Sequence, residues 1–177
     1  TELAAREGMV ALLLNSGFDG GLVAPYGGAE RVLTTNPISF ALPAGNDAPV
    51  VADIATSAVA EGKLRVARAT GTPVAAGAIL DKDGNPSTDA QDFYDGGVML
   101  PFGGHKGYVL SVIVELLSKH LAGAEKHQKP GLHFGLVMMV FDVSVFRPLE
   151  EFQAGIDYRL GQIRGAGPAP GFQAAMA

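Results

Sequence analysis

The chain has 177 residues, of which 47% are hydrophobic and 18% charged, and its formal net charge is −5. This composition supplies enough apolar surface for one folded domain and excludes an intrinsically disordered chain. The acidic balance, with only thirteen scattered basic residues, excludes nucleic acid and an anionic membrane surface as partners, because no positive patch exists to bind them.

The glycine, proline and cysteine contents indicate which fold class and which kinds of site are possible. Twenty-four glycines and eleven prolines weaken helix and strand interiors, which favours a mixed α/β layout over a helical bundle. The absence of cysteine excludes disulfides and thiolate metal sites and is typical of a cytoplasmic protein. No apolar run reaches the roughly 18 residues of a membrane-spanning helix, so we expect no membrane segment.

The first elements are short. Residues 2–8 predict the end of a helix that stops at Gly8, and residues 9–14 predict an apolar strand. Two β-rich runs, 38–42 and 50–54, flank a turn signal and are typical of a hairpin. A strand-to-helix junction is therefore expected soon after residue 54.

A helix follows that junction. Thr56 or Ser57 is suited to cap it, residues 58–69 have helical character, and Gly71 ends it. Residues 77–104 are rich in turn signals, so we expect little regular structure there apart from a short segment at residues 91–94.

The strongest patterns lie in the second half of the chain. Residues 108–121 have one thin polar stripe and predict a largely buried helix, with Leu117 among its core side chains. Residues 134–145 form an apolar run that predicts a buried strand rather than an exposed edge, and residues 149–164 predict a closing amphipathic helix. The tail after Gly165 has no ordering pattern.

The segment 100–108, Leu-Pro-Phe-Gly-Gly-His-Lys-Gly-Tyr, directly precedes the predicted buried helix. Gly103 and Gly104 allow close backbone approach, and the helix start offers unpaired N–H donors and a positive dipole end. Lys106 is unfavourable at this position unless a bound anion offsets its charge. The alternative is a solvated lysine on an ordinary glycine turn, and His105 is either a ligand contact or a cap.

The sequence pattern gives weaker support to the other candidate ligand-binding residues. Ser16 and Asp53 each end a predicted strand, where ligands gather in layered α/β proteins, although a local turn or cap explains each equally well. Residues 34–37, Thr-Thr-Asn-Pro, offer polar groups before a fixed proline, and an Asx turn is the alternative. No G-x-G-x-x-G and no P-loop occur, which disfavours a Rossmann fold.

The sequence offers no metal or hydrolase signature. His120, His127 and His133 have no metal-ligand spacing. No G-x-S-x-G and no paired carboxylates on a shared helical face are present. We therefore expect no bound metal and no hydrolytic chemistry.

Four ordered motifs resemble the malate/L-lactate dehydrogenase type 2 family, which includes ureidoglycolate, sulfolactate and hydroxycarboxylate dehydrogenases and cyclic-imine reductases. The motifs occupy residues 35–43, 53–57, 80–89 and 100–108, and the resemblance runs from residue 15 to residue 172. It implies a three-layer, mixed-sheet, non-Rossmann α/β fold, with residues 1–177 forming a single cofactor-binding domain.

The resemblance also implies the chemistry. The family transfers a hydride between NAD or NADP and a small 2-oxo or 2-hydroxy acid, such as malate or lactate, in a cytoplasmic homodimer. The segments that match its cofactor contacts contain Ser16, Asp53, Ile54, Ala55, His105 and Lys106. Thr35 matches a threonine that holds the substrate carboxylate.

The chain departs from the family in its extent. Family members are longer, and their catalytic histidine lies in an N-terminal segment that precedes everything matched here, so no catalytic residue is assigned to this chain. Their usual Pro-Gly-Glu tail is replaced by residues 173–177. We therefore expect residues 1–177 alone to be inactive, and the alternative function is a non-catalytic nucleotide-binding fragment.

Overall fold

The computed structural model describes residues 1–17, 21–46, 48–124 and 134–171. The helices are α1 (Glu2–Arg6), α2 (Glu61–Thr70), α3 (Ala90–Tyr94), α4 (His105–Glu115) and α5 (Leu149–Arg164). A π-helix (Leu116–Leu121) continues α4, and a short 3-10 helix covers Val143–Val145. The strands are β1 (Met9–Ser16), β2 (Ile38–Leu42), β3 (Val50–Ile54), β4 (Ile79–Leu80), β5 (Pro86–Ser87), β6 (Val98–Met99) and β7 (Gly135–Asp142).

Two sheets accompany the helices, which confirms the α/β class. The larger sheet has the strand order β3-β2-β1-β7, and the smaller one has the order β5-β4-β6. In the smaller sheet Ile79 lies opposite Ser87 on one side and Met99 on the other, both antiparallel. The expectation of little regular structure over residues 77–104 is confirmed, because apart from these two-residue strands the segment contains only α3, which matches the short segment expected at residues 91–94.

The described chain divides into two compact units. Unit 1 comprises residues 1–12, 39–52 and 139–177, and unit 2 comprises residues 13–38 and 53–138. The single cofactor-binding domain over residues 1–177 stays a prediction. Residues 172–177, the last part of the predicted unordered tail, lie outside the described residues.

In unit 1 the predicted closing helix α5 is confirmed and is tied to the turn after β2. The Asp157 carboxylate accepts hydrogen bonds from the backbone N–H groups of Gly45 (3.1 Å) and Asn46 (2.9 Å). The Asn46 side chain donates a third bond at 2.8 Å. A charged acceptor on the helix thus satisfies turn donors that would otherwise depend on water.

The core of unit 2 collects apolar side chains from α2, α3 and the small sheet. Its buried members are Val23, Leu33, Leu64, Ala67, Ala78, Ile79, Ala90, Phe93 and Met99. Arg31 closes one side, because its Nε donates to the Gly97 carbonyl at 2.8 Å and its guanidinium lies 4.4 Å from the Phe93 ring centroid. A cation over an aromatic face is favourable.

The predicted burial of the helix at residues 108–121 is wrong. Its buried positions are Gly107, Ser111, Val114 and Ser118, whereas Val109, Ile113, Leu116, Leu117 and Leu121 are exposed. The reason is steric, since small side chains let the helix backbone come close to its neighbours. A β-carbon on Gly135 would lie only 1.9 Å from the Ser118 carbonyl oxygen.

The predicted burial of the strand at residues 134–145 is also wrong. The strand itself is present as β7, but β7 is an edge strand of the larger sheet. Leu136, Met138 and Val140, which alternate along it, are all exposed. The continuous apolar run therefore predicts a strand correctly, but it does not indicate that the strand lies at the edge of the sheet.

We expect Leu64→Ala and Leu117→Ala to differ in their effect on stability. Leu64 is fully buried whereas Leu117 is 37% exposed, so Leu64→Ala should lower the free energy of unfolding by about 2–5 kcal/mol and Leu117→Ala by clearly less. Urea unfolding of both variants and the parent measures the difference. An equal loss at both positions would contradict the described packing.

Candidate functional site

The start of α4 is an uncapped helix N-terminus. Gly103 and Gly104 both have positive φ, 57° and 64°, which glycine adopts without strain. Gly104 occupies the N-cap position and has no side chain to bond the first N–H groups. The first turn contains no acidic residue. Its backbone donors and the helix dipole are therefore directed toward any anion that approaches.

His105 and Lys106 open this helix, and both side chains are exposed. The His105 ring meets the Tyr26 ring edge-on, with 5.9 Å between centroids and 68° between planes. Tyr26 also closes over Gly104, where a β-carbon would lie 3.3 Å from the tyrosine ring. The predicted anion site thus has a cation, a helix start and an aromatic wall.

Gly107 fixes how α4 meets the strand end before it. A β-carbon at this position would lie 1.9 Å from the carbonyl oxygen of Phe102, a distance that no side chain tolerates. The backbone of the segment at residues 100–104 therefore folds directly against the first turn of α4. Only glycine permits this approach.

Thr56 joins three of the sequence motifs. Its backbone N–H and its hydroxyl both donate to the Thr35 carbonyl, at 2.9 and 3.1 Å. Its own carbonyl accepts from the Phe102 N–H at 3.0 Å. Thr56 is fully buried. One residue therefore places the substrate-binding candidate, the segment after β3 and the segment before α4 side by side.

The prediction that Thr56 or Ser57 caps the following helix is wrong. The helix begins at Glu61, and Ala60 occupies its N-cap position. The Thr56 hydroxyl is bonded to Thr35, and the Ser57 hydroxyl donates to the Val59 carbonyl at 2.7 Å. The Ser57 hydroxyl is thus used within the loop that precedes α2, and the Thr56 hydroxyl is used by a segment 21 residues earlier.

Two adjoining cavities lie along these segments. The first, about 690 Å³, is lined by Tyr26–Ala29, by Ala75–Ala78, by Leu100–Gly104 and by Ala58, Leu80 and Gly84. The second, about 600 Å³, is lined by Asp53–Ala55, by Ser57–Ala60, by Pro73–Ala75 and by Lys63 and Ala67. Because Ala58 and Ala75 line both, the cavities form one extended groove, and each has the size of a small-ligand site.

The predicted residues at the end of β3 open into the second cavity. Asp53 and Ile54 are exposed, and Ala55 is half-buried. Lys63, in the first turn of α2, lies in the wall of the same cavity. This end of the groove therefore offers a carboxylate, an ammonium group and an apolar surface to a ligand.

Ser16 and Thr35 are placed differently. The Ser16 side chain is fully buried, and its hydroxyl has no hydrogen-bond partner among the described residues. The next residue, Gly17, donates its N–H to the Thr34 hydroxyl at 3.2 Å. Thr35 is half-buried. The structure thus brings Thr35 to the groove segments through Thr56, whereas Ser16 presents no exposed surface.

Sequence reasoning missed a buried polar group that adjoins Thr35. Asn36 hydrogen-bonds to Ser111 and Glu115 on α4. The sequence predicts either ligand-binding polar groups or an Asx turn at residues 34–37, but nothing in the local sequence indicates a contact with residues 75 and 79 positions further on.

The motif at residues 80–89 forms a turn beside the first cavity. Hydrogen bonds from the Asn85 backbone and side chain and from the Asp83 N–H hold the pKa of the Asp81 carboxyl below its ordinary value. Leu80 and Gly84 carry this turn into the cavity wall. The motif therefore forms part of the groove wall.

The described residues contain no group of three or more histidine, aspartate or glutamate side chains placed to hold a metal ion. They also contain no helix that is long and apolar enough to cross a membrane. His127 and His133 lie outside the described residues.

Comparison with known proteins gives a consistent result. The model of the malate/L-lactate dehydrogenase family matches residues 1–177. The chain is 37% identical to a malate dehydrogenase of Pyrococcus horikoshii over 97% of this chain and 50% of that protein. It is 38% identical to an L-lactate dehydrogenase of Cupriavidus necator, over 96% of this chain and 51% of that protein. The chain spans about half the length of these curated relatives.

A solved structure supports the fold. Sulfolactate dehydrogenase of Methanocaldococcus jannaschii superposes with a TM-score of 0.82 at 33% identity, over 99% of this chain and 52% of that one. The resemblance inferred from the four motifs and the fold class that it implied are confirmed.

Two helical glycines test the close approach at the start of α4. Gly107→Ala should lower the free energy of unfolding by about 1–3 kcal/mol, because its β-carbon meets the Phe102 carbonyl. Gly62→Ala is the matched control, since nothing lies within 4 Å of its added β-carbon, and it should be neutral or stabilising by up to about 1 kcal/mol. Thermal unfolding of both variants and the parent measures these changes in stability. Equal tolerance at the two positions would contradict the described geometry.

Proposed function

Because the chain belongs to the malate/L-lactate dehydrogenase family, we propose that it forms the cofactor-binding part of an oxidoreductase. The reaction is hydride transfer between NAD or NADP and a small 2-oxo acid, giving the 2-hydroxy acid. Malate, lactate and sulfolactate, which appear in the names of the related proteins, are all 2-hydroxy acids. These relatives support a substrate of the same class for this protein.

The observation that carries this proposal is the extended groove. A dinucleotide is a long ligand with a central diphosphate, and two adjoining cavities of about 690 and 600 Å³ suit its two halves. The uncapped start of α4, with Lys106, suits the diphosphate, because helix N–H donors and a positive charge converge there. Asp53–Ala55 would contact the half in the second cavity.

The other cofactor candidates fit the same ligand. Tyr26 lines the first cavity, and the His105 ring lies edge-on to it. The buried Ser16 hydroxyl lacks a partner among the described residues, and an unpaired buried polar group is costly. A cofactor group or an ordered water at the end of β1 would satisfy it.

We assign the substrate carboxylate to Thr35. Its carbonyl is held by two hydrogen bonds from Thr56, so its own hydroxyl is presented from a fixed backbone. A hydroxyl donor of fixed geometry binds a carboxylate at little cost in side-chain entropy. Thr56 itself lies between Ala55 and Ser57, which line the second cavity, so its bonds hold Thr35 beside the groove.

The chemistry divides between the cofactor and the protein. When bound, the nicotinamide supplies the hydride for the 2-oxo carbon, whose oxygen also takes up one proton. The residues of this chain bind and orient both ligands. His105 is exposed and edge-on to Tyr26, an arrangement for ligand contact, so we do not assign the proton transfer to it and place the donor outside residues 1–177.

The proposal extends to a cytoplasmic homodimer. The exposed apolar side chains on α4 and the π-helix, Val109, Ile113, Leu116 and Leu121, would be partly covered in a dimer, and large exposed apolar patches mark interaction surfaces. The complete absence of cysteine fits a reducing compartment.

Nucleotide binding without turnover is the second candidate function, and the exposed position of His105 favours it. We expect purified residues 1–177 to bind NADH or NADPH but not to oxidise it with pyruvate, oxaloacetate or glyoxylate, because the proton donor is missing. The absorbance of the reduced cofactor follows the reaction. The malate dehydrogenase of Pyrococcus horikoshii serves as the active control, and comparable turnover by residues 1–177 would overturn this assignment and point to His105.

Lys106→Ala should weaken binding of NADH or NADPH about ten- to a hundredfold, the scale of one charged hydrogen bond. The matched control is Lys82→Ala, an exposed lysine paired with Asp83 at 2.9 Å, which should bind as the parent does. Titration calorimetry measures the affinities, and thermal unfolding checks that both variants fold. Equal affinity in Lys106→Ala and the parent would refute the diphosphate assignment.

A further inference from the structure

Asn36 has an unusual backbone conformation. Among the residues that the structure describes it is the one non-glycine residue with positive φ, at 38°, and it is fully buried. Asparagine tolerates this region better than most residues, yet a conformation of this kind persists only where the surroundings enforce it. The position directly before Pro37 restricts the backbone further.

The Asn36 side chain is held from both ends. Its Nδ2 donates to the Ser111 hydroxyl (2.9 Å), the Ser111 carbonyl (3.1 Å) and Glu115 Oε2 (2.9 Å). Its Oδ1 accepts from the Thr34 hydroxyl. With both donors and the acceptor engaged, the amide has one orientation that satisfies it.

Glu115 strengthens this arrangement. Its other carboxylate oxygen, Oε1, lies 3.4 Å from the Lys119 ammonium, and both side chains are largely buried. A hydrogen bond to a charged acceptor is stronger than one between neutral groups. Asn36 is therefore anchored to α4 by an acceptor that is itself fixed.

The residues on either side of Asn36 are held by their carbonyl groups. The Thr35 carbonyl accepts from Thr56, as described above, and the Pro37 carbonyl accepts from the Asn15 N–H at 3.1 Å. The amide of Asn36 thus fixes the middle of a segment whose two ends are bonded to β1 and to Thr56. The orientation of the Thr35 side chain depends on that segment.

We propose that Asn36 is a positioning residue, which couples α4 to Thr35 so that the threonine hydroxyl is presented to the carboxylate of the substrate. The proposal rests on the proposed function, in which Thr35 binds that carboxylate. A turn that served folding alone would be satisfied by the bonds from Thr56 and Asn15. The buried amide, bonded to residues 111 and 115 of the helix that starts at the groove, adds rigidity at the place where the ligand is bound.

The first experiment compares Asn36→Ala with Ser118→Ala. Ser118 is the control, since it is as fully buried as Asn36 and, among the described residues, its hydroxyl bonds to the Val114 carbonyl one helical turn earlier. Calorimetry measures binding of oxalate, a dicarboxylate that resembles a 2-oxo acid, and of NADH or NADPH, whichever the parent binds more tightly. Asn36→Ala should weaken oxalate binding about tenfold or more and change cofactor binding less than about twofold.

Ser118→Ala should leave both affinities within about twofold of the parent. Equal weakening of oxalate and cofactor in Asn36→Ala would overturn the proposal, because it indicates a general loss of structure. Should Asn36→Ala fail to fold, Ser111→Ala removes one acceptor of the same amide. Ser111→Ala should show the same selective loss of oxalate affinity, but a smaller one. An unchanged oxalate affinity would count against the proposal.

Amide hydrogen exchange tests the positioning without a substrate. In Asn36→Ala the Thr56 and Asn15 N–H groups, which bond to Thr35 and Pro37, should exchange about tenfold faster or more. The Ala58 N–H, bonded to the Leu100 carbonyl, should keep its protection. Unchanged exchange at Thr56 and Asn15 would overturn the proposal. Failure of the parent to bind oxalate, with faster exchange in the variant, would instead overturn the assignment of Thr35 to the substrate.

Discussion

The close approach of α4 to its surroundings is the constraint on which the rest of the site depends. Its buried stripe consists of Gly107, Ser111, Val114 and Ser118, and these small side chains let the Phe102 carbonyl, the Asn36 amide and the Gly135 backbone reach the helix. Since packed interiors tolerate few voids, small residues on one helix bring their neighbours closer. The helix start, and with it the proposed anion site, is held in place by this contact.

The contact organises the motifs that are distant in sequence. With α4 fixed, the segment before it pairs with Thr56, and Thr56 in turn holds Thr35. Asn36, the residue after Thr35, bonds in turn to Glu115 on the same helix. The substrate and cofactor candidates therefore lie largely on loop segments that one connected set of hydrogen bonds ties to α4.

Local patterns predicted the helices and strands well, because hydrophobic periodicity and turn residues act over a few neighbours. They did not predict what faces inward. The apolar side chains of α4 outnumber the small ones, so periodicity favours the wrong face. Thr56 or Ser57 is predicted to cap the following helix, whereas the partner of the Thr56 hydroxyl is a carbonyl 21 residues away. The family motifs located the groove segments, but Asn36 depends on contacts that no local pattern contains.

The central claim is that the groove from Asp53–Ala55 to the start of α4 binds a nicotinamide dinucleotide with its diphosphate at the helix start. The most direct test is to titrate NADH or NADPH into isotope-labelled protein and follow every backbone amide by NMR. The claim predicts that the largest shifts fall at residues 103–107 and at Asp53–Ala55. Saturation with shifts concentrated elsewhere, such as the aromatic cavity of Phe141, Phe146 and Phe152, or no shift at all, would contradict it.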